Sequence, residues 1–304
     1  MRIQKFKQLK SMARRCVPRT MLWRSQPIRL FSWKGDQPTG NFGDQLSKEL
    51  IERLFAVNAV YAPIDECELV SIGSVLQEVE RTVSFRRPVI WGSGFVAPGE
   101  NYAGPPLDVR AVRGQLSLQR IRHLTKRHIA LGDPGILTPL AFPEITKTAT
   151  PDVKVSVIPH YVDQTSDTAQ ELISRLGAHH IDVMAPVSQV IQEIAASGFV
   201  ISSSLHGVIV AESFGVPNAW VQFSDQVIGG RYKFDDFYSA FATKREPVSP
   251  AALMDGIDQY VSQWRPLRNL TFVQSELMRS FPHQAGCVNA SQPRGSSSQA
   301  ADKS

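Results

Sequence analysis

The sequence predicts an α/β fold in which parallel strands alternate with helices, arranged as two halves that face one another across a cleft. Three observations carry this. Short apolar runs of strand length alternate with longer stretches of helical periodicity across residues 28–280. The strands end repeatedly in Gly, Ser, Asn, Asp or His, as they do along the ligand-binding edge of doubly wound sheets. A stretch rich in Pro and Thr, Thr138 to Pro151, divides the chain near its middle.

The clearest unit is Phe199 to Pro217. An apolar run, Phe199-Val200-Ile201, leads into Ser202, Ser203 and Ser204 and then Leu205-His206-Gly207. Apolar residues at helical spacing follow, and Gly215-Val216-Pro217 stops the helix before a new strand from Asn218 to Phe223. This strand–loop–helix–strand order puts hydroxyls and one imidazole at a strand's C-terminal end, where free helix N–H groups attract anions. There His206 either exchanges protons with a bound substrate or simply caps and packs its helix.

From the start of the chain, residues 1–35 hold ten basic residues and no acid. The remaining 23 basic and 28 acidic residues make the body acidic, so the net charge of +5 belongs to the leader. Such an arm suits contact with an anionic membrane surface, or is a plain disordered tail. It lacks the apolar core of a secretory signal, and nucleic acid is disfavoured by the acidic body. Cys16, Cys67 and Cys287 are too few and too far apart for a disulfide framework or a zinc site. No apolar run is long enough to span a membrane.

The globular pattern begins with a strand, Ile28 to Trp33, followed by Thr39-Gly40-Asn41-Phe42-Gly43-Asp44 and a helix from Gln45 to Phe55. Asn41 or Asp44 can cap that helix, and the flanking glycines suit a loop that approaches something closely. Strands Glu68–Ile72 and Pro88–Trp91 end in Gly73-Ser74 and Gly92-Ser93-Gly94. Strand Leu107–Val112 runs into Arg113, whose guanidinium either grips an oxyanion in bidentate fashion or pairs with a neighbouring carboxylate. Asp133, held extended before Pro134, projects from a rigid turn or closes an Asx-turn. In the second half, strand Lys154–Ile158 ends at Pro159-His160, and Ser188 is placed to cap a helix reaching Ala196. A Gly-hinged loop after Phe223 carries Arg231 and Lys233 beside aromatic residues, and helices over Pro250–Trp264 and Thr271–Arg279 close the fold. No P-loop, no dinucleotide glycine fingerprint and no D-x-D is present. The expected organisation is a basic arm over 1–27, domains over 28–140 and 152–280, and a disordered tail over 284–304. His206 and Arg113 then stand on opposite walls of the cleft.

Several of these groups together resemble the polysaccharide pyruvyl transferases, most closely the exopolysaccharide ketal-pyruvate transferases. They are Asn41-x-Gly43-Asp44, Gly92-Ser93-Gly94, Arg113-Gly114-x-x-Ser117, Gly132-Asp133-Pro134, Pro159-His160 and Ser203-Ser204-Leu205-His206-Gly207. The resemblance runs from about Phe31 to Tyr238. It implies two Rossmann-like domains in a GT-B-like arrangement, with phosphoenolpyruvate as co-substrate and no metal or other cofactor. The product implied is a pyruvate ketal on two hydroxyls of a surface-polysaccharide sugar, lipid-linked or free. By resemblance, His206 is the acid/base, Arg113 binds phosphate or carboxylate, and Asp44 joins them as a catalytic group. Asn41, Gly43, Ser93, Asp133, His160, Ser203 and Ser204 make up the implied binding set. Many family members carry Arg where this chain has Ser204, so Arg231 or Lys233 is the expected replacement. A cytoplasmic location, peripheral at the inner face of the membrane, goes with this reading. A nucleotide-sugar glycosyltransferase and a non-catalytic carbohydrate-binding relative are the competing readings.

Overall fold

The structure, a computed structural model, describes residues 26–33, 41–82 and 87–282. The basic arm, the Lys34–Gly40 turn, the tail from 284, Cys16 and Cys287 lie outside the described residues. Two parallel sheets form the frame. The first contains β1 (Ile28–Phe31), β2 (Ala59–Tyr61), β3 (Leu69–Val70), β4 (Val89–Trp91), β5 (Asp108–Val112) and β6 (Ala130–Leu131), in the order β2-β1-β3-β4-β5-β6. The second contains β7 (Val153–Ile158), β8 (His179–His180), β9 (Ser197–Ser202) and β10 (Asn218–Trp220), in the order β10-β9-β7-β8.

Each sheet reverses its winding once. In the first, β2 lies on one side of β1 and β3 on the other; in the second, β8 and β9 flank β7 in the same way. Chains leaving neighbouring strands at such a point diverge and open a crevice at the strands' C-terminal ends. Helix α1 (Phe42–Phe55) follows β1, and α2 (Leu76–Arg81) follows β3. Helices α3 (Gln115–Ile121) and α4 (Thr138–Ala141) belong to the same half, and α5 (Asp167–Leu176) and α6 (Val187–Ala195) lie between the strands of the second sheet. Helix α7 (Leu205–Phe214) follows β9.

The core shows why the sequence folds this way. Helix α7 is enclosed on every side and mostly apolar, with Glu212 and Ser213 buried in it too; only His206 and Phe214 fall outside the buried class. Its Leu205, Val208 and Ile209 pack with Ile136 and Leu137 from the first half in one cluster that also holds Leu30 and Trp91. Each such aliphatic side chain contributes roughly 1.5–3 kcal/mol by leaving water. On the other side, Phe42, Leu46 and Leu50 of α1 pack with Ile158, Val187 and Ile191, and Phe42 N donates to Val183 O at 2.9 Å. The halves therefore share apolar side chains rather than meeting only through polar surface.

Several expectations are corrected. The Thr138–Pro151 stretch is in two parts: it starts as a short buried turn of helix holding Thr138, Ala141 and Phe142, and from Pro143 to Pro151 it is irregular and mostly exposed. Ser188 caps nothing: α6 begins at Val187 with Pro186 at its cap. The long helix over Pro250–Trp264 is two, α9 (Pro250–Met254) and α10 (Asp258–Gln263), separated at Gly256, whose φ of +150° favours glycine. The loop expected through Tyr238 contains a helix, α8 (Tyr232–Ser239). Helix α11 (Leu270–Ser280) returns to the first sheet, where Trp91 Nε1 donates to Leu277 O at 3.0 Å.

Candidate active site

The crevice ends of both sheets supply the chemistry. Asn41 caps α1: its side-chain oxygen accepts from Gly43 N at 3.0 Å and Asp44 N at 3.4 Å. That bends the chain so that Gly43 passes directly against His206. A Cβ on Gly43 would lie 2.0 Å from His206 Nδ1, so only glycine fits. Asp44, buried just beyond, has its carboxyl pushed up to about 7 by burial, against hydrogen bonds from the Trp33 and Asn41 backbones that act the other way.

His206 reaches this point as the second residue of α7. Its other nitrogen, Nε2, lies 3.8 Å from Asp133 Oδ2, too far for a hydrogen bond. Neither atom has another partner among the described residues, although both are buried. Asp133 Oδ1 is occupied, accepting from Gly135 N at 2.9 Å in an Asx-turn. The Asp133 carboxyl is raised to about 6, chiefly by burial. The His206 imidazole is lowered to about 3 by burial first, then by the positive charges of Lys233 and Arg113 and by His160. Its side chain keeps 15% of its surface open.

Lys233 stands nearby on α8. It is buried to 6% exposure, and its ammonium forms no ion pair or hydrogen bond with the described residues. Burial, then Arg113, holds it down to about 8, and Asp163 acts in the opposite sense. Lys233 also helps burial lower the His160 imidazole to about 3. A cation held without an ion pair in a largely buried place is costly, and an anionic ligand removes that cost.

Arg113 is arranged differently. It is fully buried, with Nε donating to Asp236 Oδ2 at 3.0 Å, Nη1 to Ser74 Oγ at 2.5 Å and Nη2 to Phe95 O at 2.6 Å. Asp236 is itself saturated by Ser117 N and Ser117 Oγ. Two glycines allow this packing. A Cβ on Gly94 would strike the Arg113 guanidinium, and one on Gly114 would lie 1.7 Å from Asp236 O. Asp236 and Lys233 are three residues apart and share a face of α8, so the Arg113–Asp236 pair also aims Lys233.

The remaining expected residues divide. Ser203 Oγ donates to the buried Asp163 and accepts from His160 N at 2.8 Å, fixing the loops after β7 and β9 together. Ser93 Oγ is occupied by Gly73 O at 2.8 Å. Ser204 precedes α7, and its side chain makes no cap bond. Arg231 does not join the group. It is a surface residue paired with Asp235 at 2.7 Å and Glu246 at 2.6 Å. Of the two expected replacements for the missing arginine, only Lys233 is buried beside His206. Ser74, Asp163 and Asp236 were not among the expected site residues. Asp236 was detectable, since Phe234, Phe237 and Tyr238 have helical spacing and place it on the Lys233 face.

Two parallel sheets with a histidine, a lysine and two carboxyls in the segments after their strands define a Rossmann-like α/β protein. Comparison with known proteins is more specific. The model of the polysaccharide pyruvyl transferase family matches residues 41–224, and the chain belongs to that family. The chain is 28% identical over 232 residues to the succinoglycan biosynthesis protein ExoV of Rhizobium meliloti, covering 74% of this chain and 70% of that protein. It is also 28% identical over 219 residues to an uncharacterised protein of Acanthamoeba polyphaga mimivirus, covering 68% of this chain and 72% of the relative. A solved structure of a functionally uncharacterised Klebsiella pneumoniae protein aligns over 77% of this chain and 94% of its own, with 14% identity and a TM-score of 0.40. No described helix is long and apolar enough to cross a membrane.

Proposed function

We propose that the protein transfers the enolpyruvyl group of phosphoenolpyruvate to two hydroxyls of a polysaccharide sugar, forming a pyruvate ketal and releasing phosphate. The observation that carries this is a buried lysine with no ion pair or hydrogen bond to the described residues, Lys233, whose charge acts on an imidazole with an unpartnered buried nitrogen, His206 Nε2. Family membership supports the pyruvyl donor, and the name of the ExoV relative supports a surface-polysaccharide acceptor.

The reaction needs a proton on the methylene carbon of phosphoenolpyruvate, which becomes the methyl group and leaves an oxocarbenium-like centre. One sugar hydroxyl adds to that centre and gives up its proton. Phosphate leaves with its C–O bonding pair, and the second hydroxyl closes the ketal. Two hydroxyl protons are lost; one balances the methyl group and the other the phosphate.

In this reading His206 supplies the proton to carbon. Its imidazole is neutral in the empty site, because burial and two cations hold it down. The substrate's phosphate and carboxylate offset those cations and raise its proton affinity as they bind. Asp133, 3.8 Å away, then faces the imidazolium. Asp44, pushed up to about 7, takes a hydroxyl proton near neutrality. Lys233 holds the anion, and Arg113, enclosed by Asp236, Ser74 and Phe95 O, holds the frame and adds its positive charge. Two Rossmann-like halves in a GT-B-like arrangement belong to the same reading.

The test is incubation of the protein with phosphoenolpyruvate and a repeat-unit saccharide in D2O. Phosphate release, a pyruvyl mass gain and one deuterium in the new methyl group are expected. Stabilisation by a UDP-sugar but not by phosphoenolpyruvate would replace this reading with a glycosyltransferase.

A further inference from the structure

Reaching the site through Tyr232, the neighbour of Lys233, an open depression of about 590 Å³ lies on the surface of the first half. The loop Pro98–Asn101, the α3 residues Gln119 and Arg120, and Tyr232 of α8 line it. The volume falls in the roughly 300–1,000 Å³ range of small-molecule sites. Its polar groups are of two kinds. Arg120 is spent on the wall: it donates to Glu100 O at 2.7 Å, Ala97 O at 3.2 Å and Glu80 Oε2 at 3.0 Å, and stacks 3.6 Å over the Phe95 ring. The side chains of Glu100, Asn101 and Gln119 are exposed and make no hydrogen bond or ion pair with the described residues. Tyr232 adds a half-buried aromatic ring.

This wall continues into the catalytic group. Phe95 carries Arg120 on its ring and accepts from Arg113 through its carbonyl. Tyr232 adjoins Lys233 on α8. Uncommitted amides and a carboxylate beside an aromatic face suit a neutral ligand with many hydroxyls and apolar ring faces, which is a saccharide. A nucleotide would find no uncommitted cation among these lining residues.

We propose that the depression is a saccharide subsite, holding acceptor sugar units adjacent to the one that receives the pyruvyl group. It deepens the transferase reading and rests on it for the word acceptor. The rigid Arg120 wall keeps the ordering cost of binding small.

Saturation-transfer NMR on the full chain tests it, with maltotriose, cellotriose, laminaritriose, mannotriose and the repeat-unit oligosaccharide of succinoglycan as probes. At least one is expected to bind. Tyr232→Ala, and separately the Asn101→Ala/Gln119→Ala pair, are expected to weaken that binding about tenfold or more, while Tyr232→Phe retains it. The shift in Tm given by phosphoenolpyruvate should be unchanged in all of them. Failure of every probe to bind the wild type would overturn the subsite, as would binding that none of these variants weakens. Variant-sensitive saccharide binding supports the subsite even where phosphoenolpyruvate leaves the wild-type Tm unmoved, a result that removes the transfer reading alone.

Discussion

Two buried cations, Arg113 and Lys233, lie close together and have opposite surroundings. Arg113 is enclosed by Asp236, Ser74 and Phe95 O, and its main partner is saturated by Ser117. Lys233 is almost as deeply buried and has no such partners among the described residues. A satisfied buried network holds a fold, whereas an unsatisfied one is retained at the expense of stability, as functional sites often are. The same contrast separates the two carboxylate oxygens of Asp133: Oδ1 closes a turn, and Oδ2 faces His206 without a bond.

The largest test of this contrast is Arg113→Met or Asp236→Ala. Either leaves an uncompensated buried charge and should cost about 3–5 kcal/mol, read as a large fall in the urea midpoint. His206→Gln should do the reverse, lowering kcat by about 10²–10⁴-fold with little change in that midpoint. Gly43→Ala should affect both, because its methyl group collides with the imidazole. A destabilisation of about 1–3 kcal/mol is expected, together with a loss of kcat exceeding any change in KM.

Lys233→Met sharpens the comparison through its sign. The folded ammonium titrates at about 8 against 10.5 for a free lysine. Between those values the unfolded chain binds more protons, so wild-type stability rises with pH, and below about 8 the charge is carried at full cost. The substitution should therefore raise Tm at pH 7, by about 1–3 kcal/mol of stability, with the gain shrinking from pH 8 towards 10.5. The smallest effect belongs to Arg231→Ala. It removes surface ion pairs and should leave both phosphoenolpyruvate affinity and the wild-type pH profile unchanged.

Much of the frame was legible in the sequence, for physical reasons. Parallel strands buried on both faces read as short apolar runs, as in Phe199-Val200-Ile201. The crevice ends carry glycine because the chain turns sharply against neighbours: Gly92 has φ of +91°, and a Cβ there would lie 2.1 Å from Pro134 Cδ. The close approach expected at Gly43 has an identified partner, the His206 ring. The direction of side chains was not legible. Unless the helical spacing of Phe234, Phe237 and Tyr238 is recognised, nothing in the order of residues distinguishes Arg231, turned to Asp235 and Glu246, from Lys233, turned inward. Nor does local sequence reveal that Asp236, 123 positions away, has claimed Arg113. That pairing depends on long-range packing of α8 against α3.

The account turns on Lys233 as the anchor for a small anion next to His206. Calorimetric titration of phosphoenolpyruvate into the wild type and Lys233→Met at pH 7 measures this without needing the acceptor. Binding weakened by about tenfold or more is expected in the variant, with Lys233→Arg recovering part of it and extending binding above pH 8, where lysine loses its proton. Equal affinity in wild type and Lys233→Met would leave the anion without its anchor and remove the basis for pairing this lysine with the histidine.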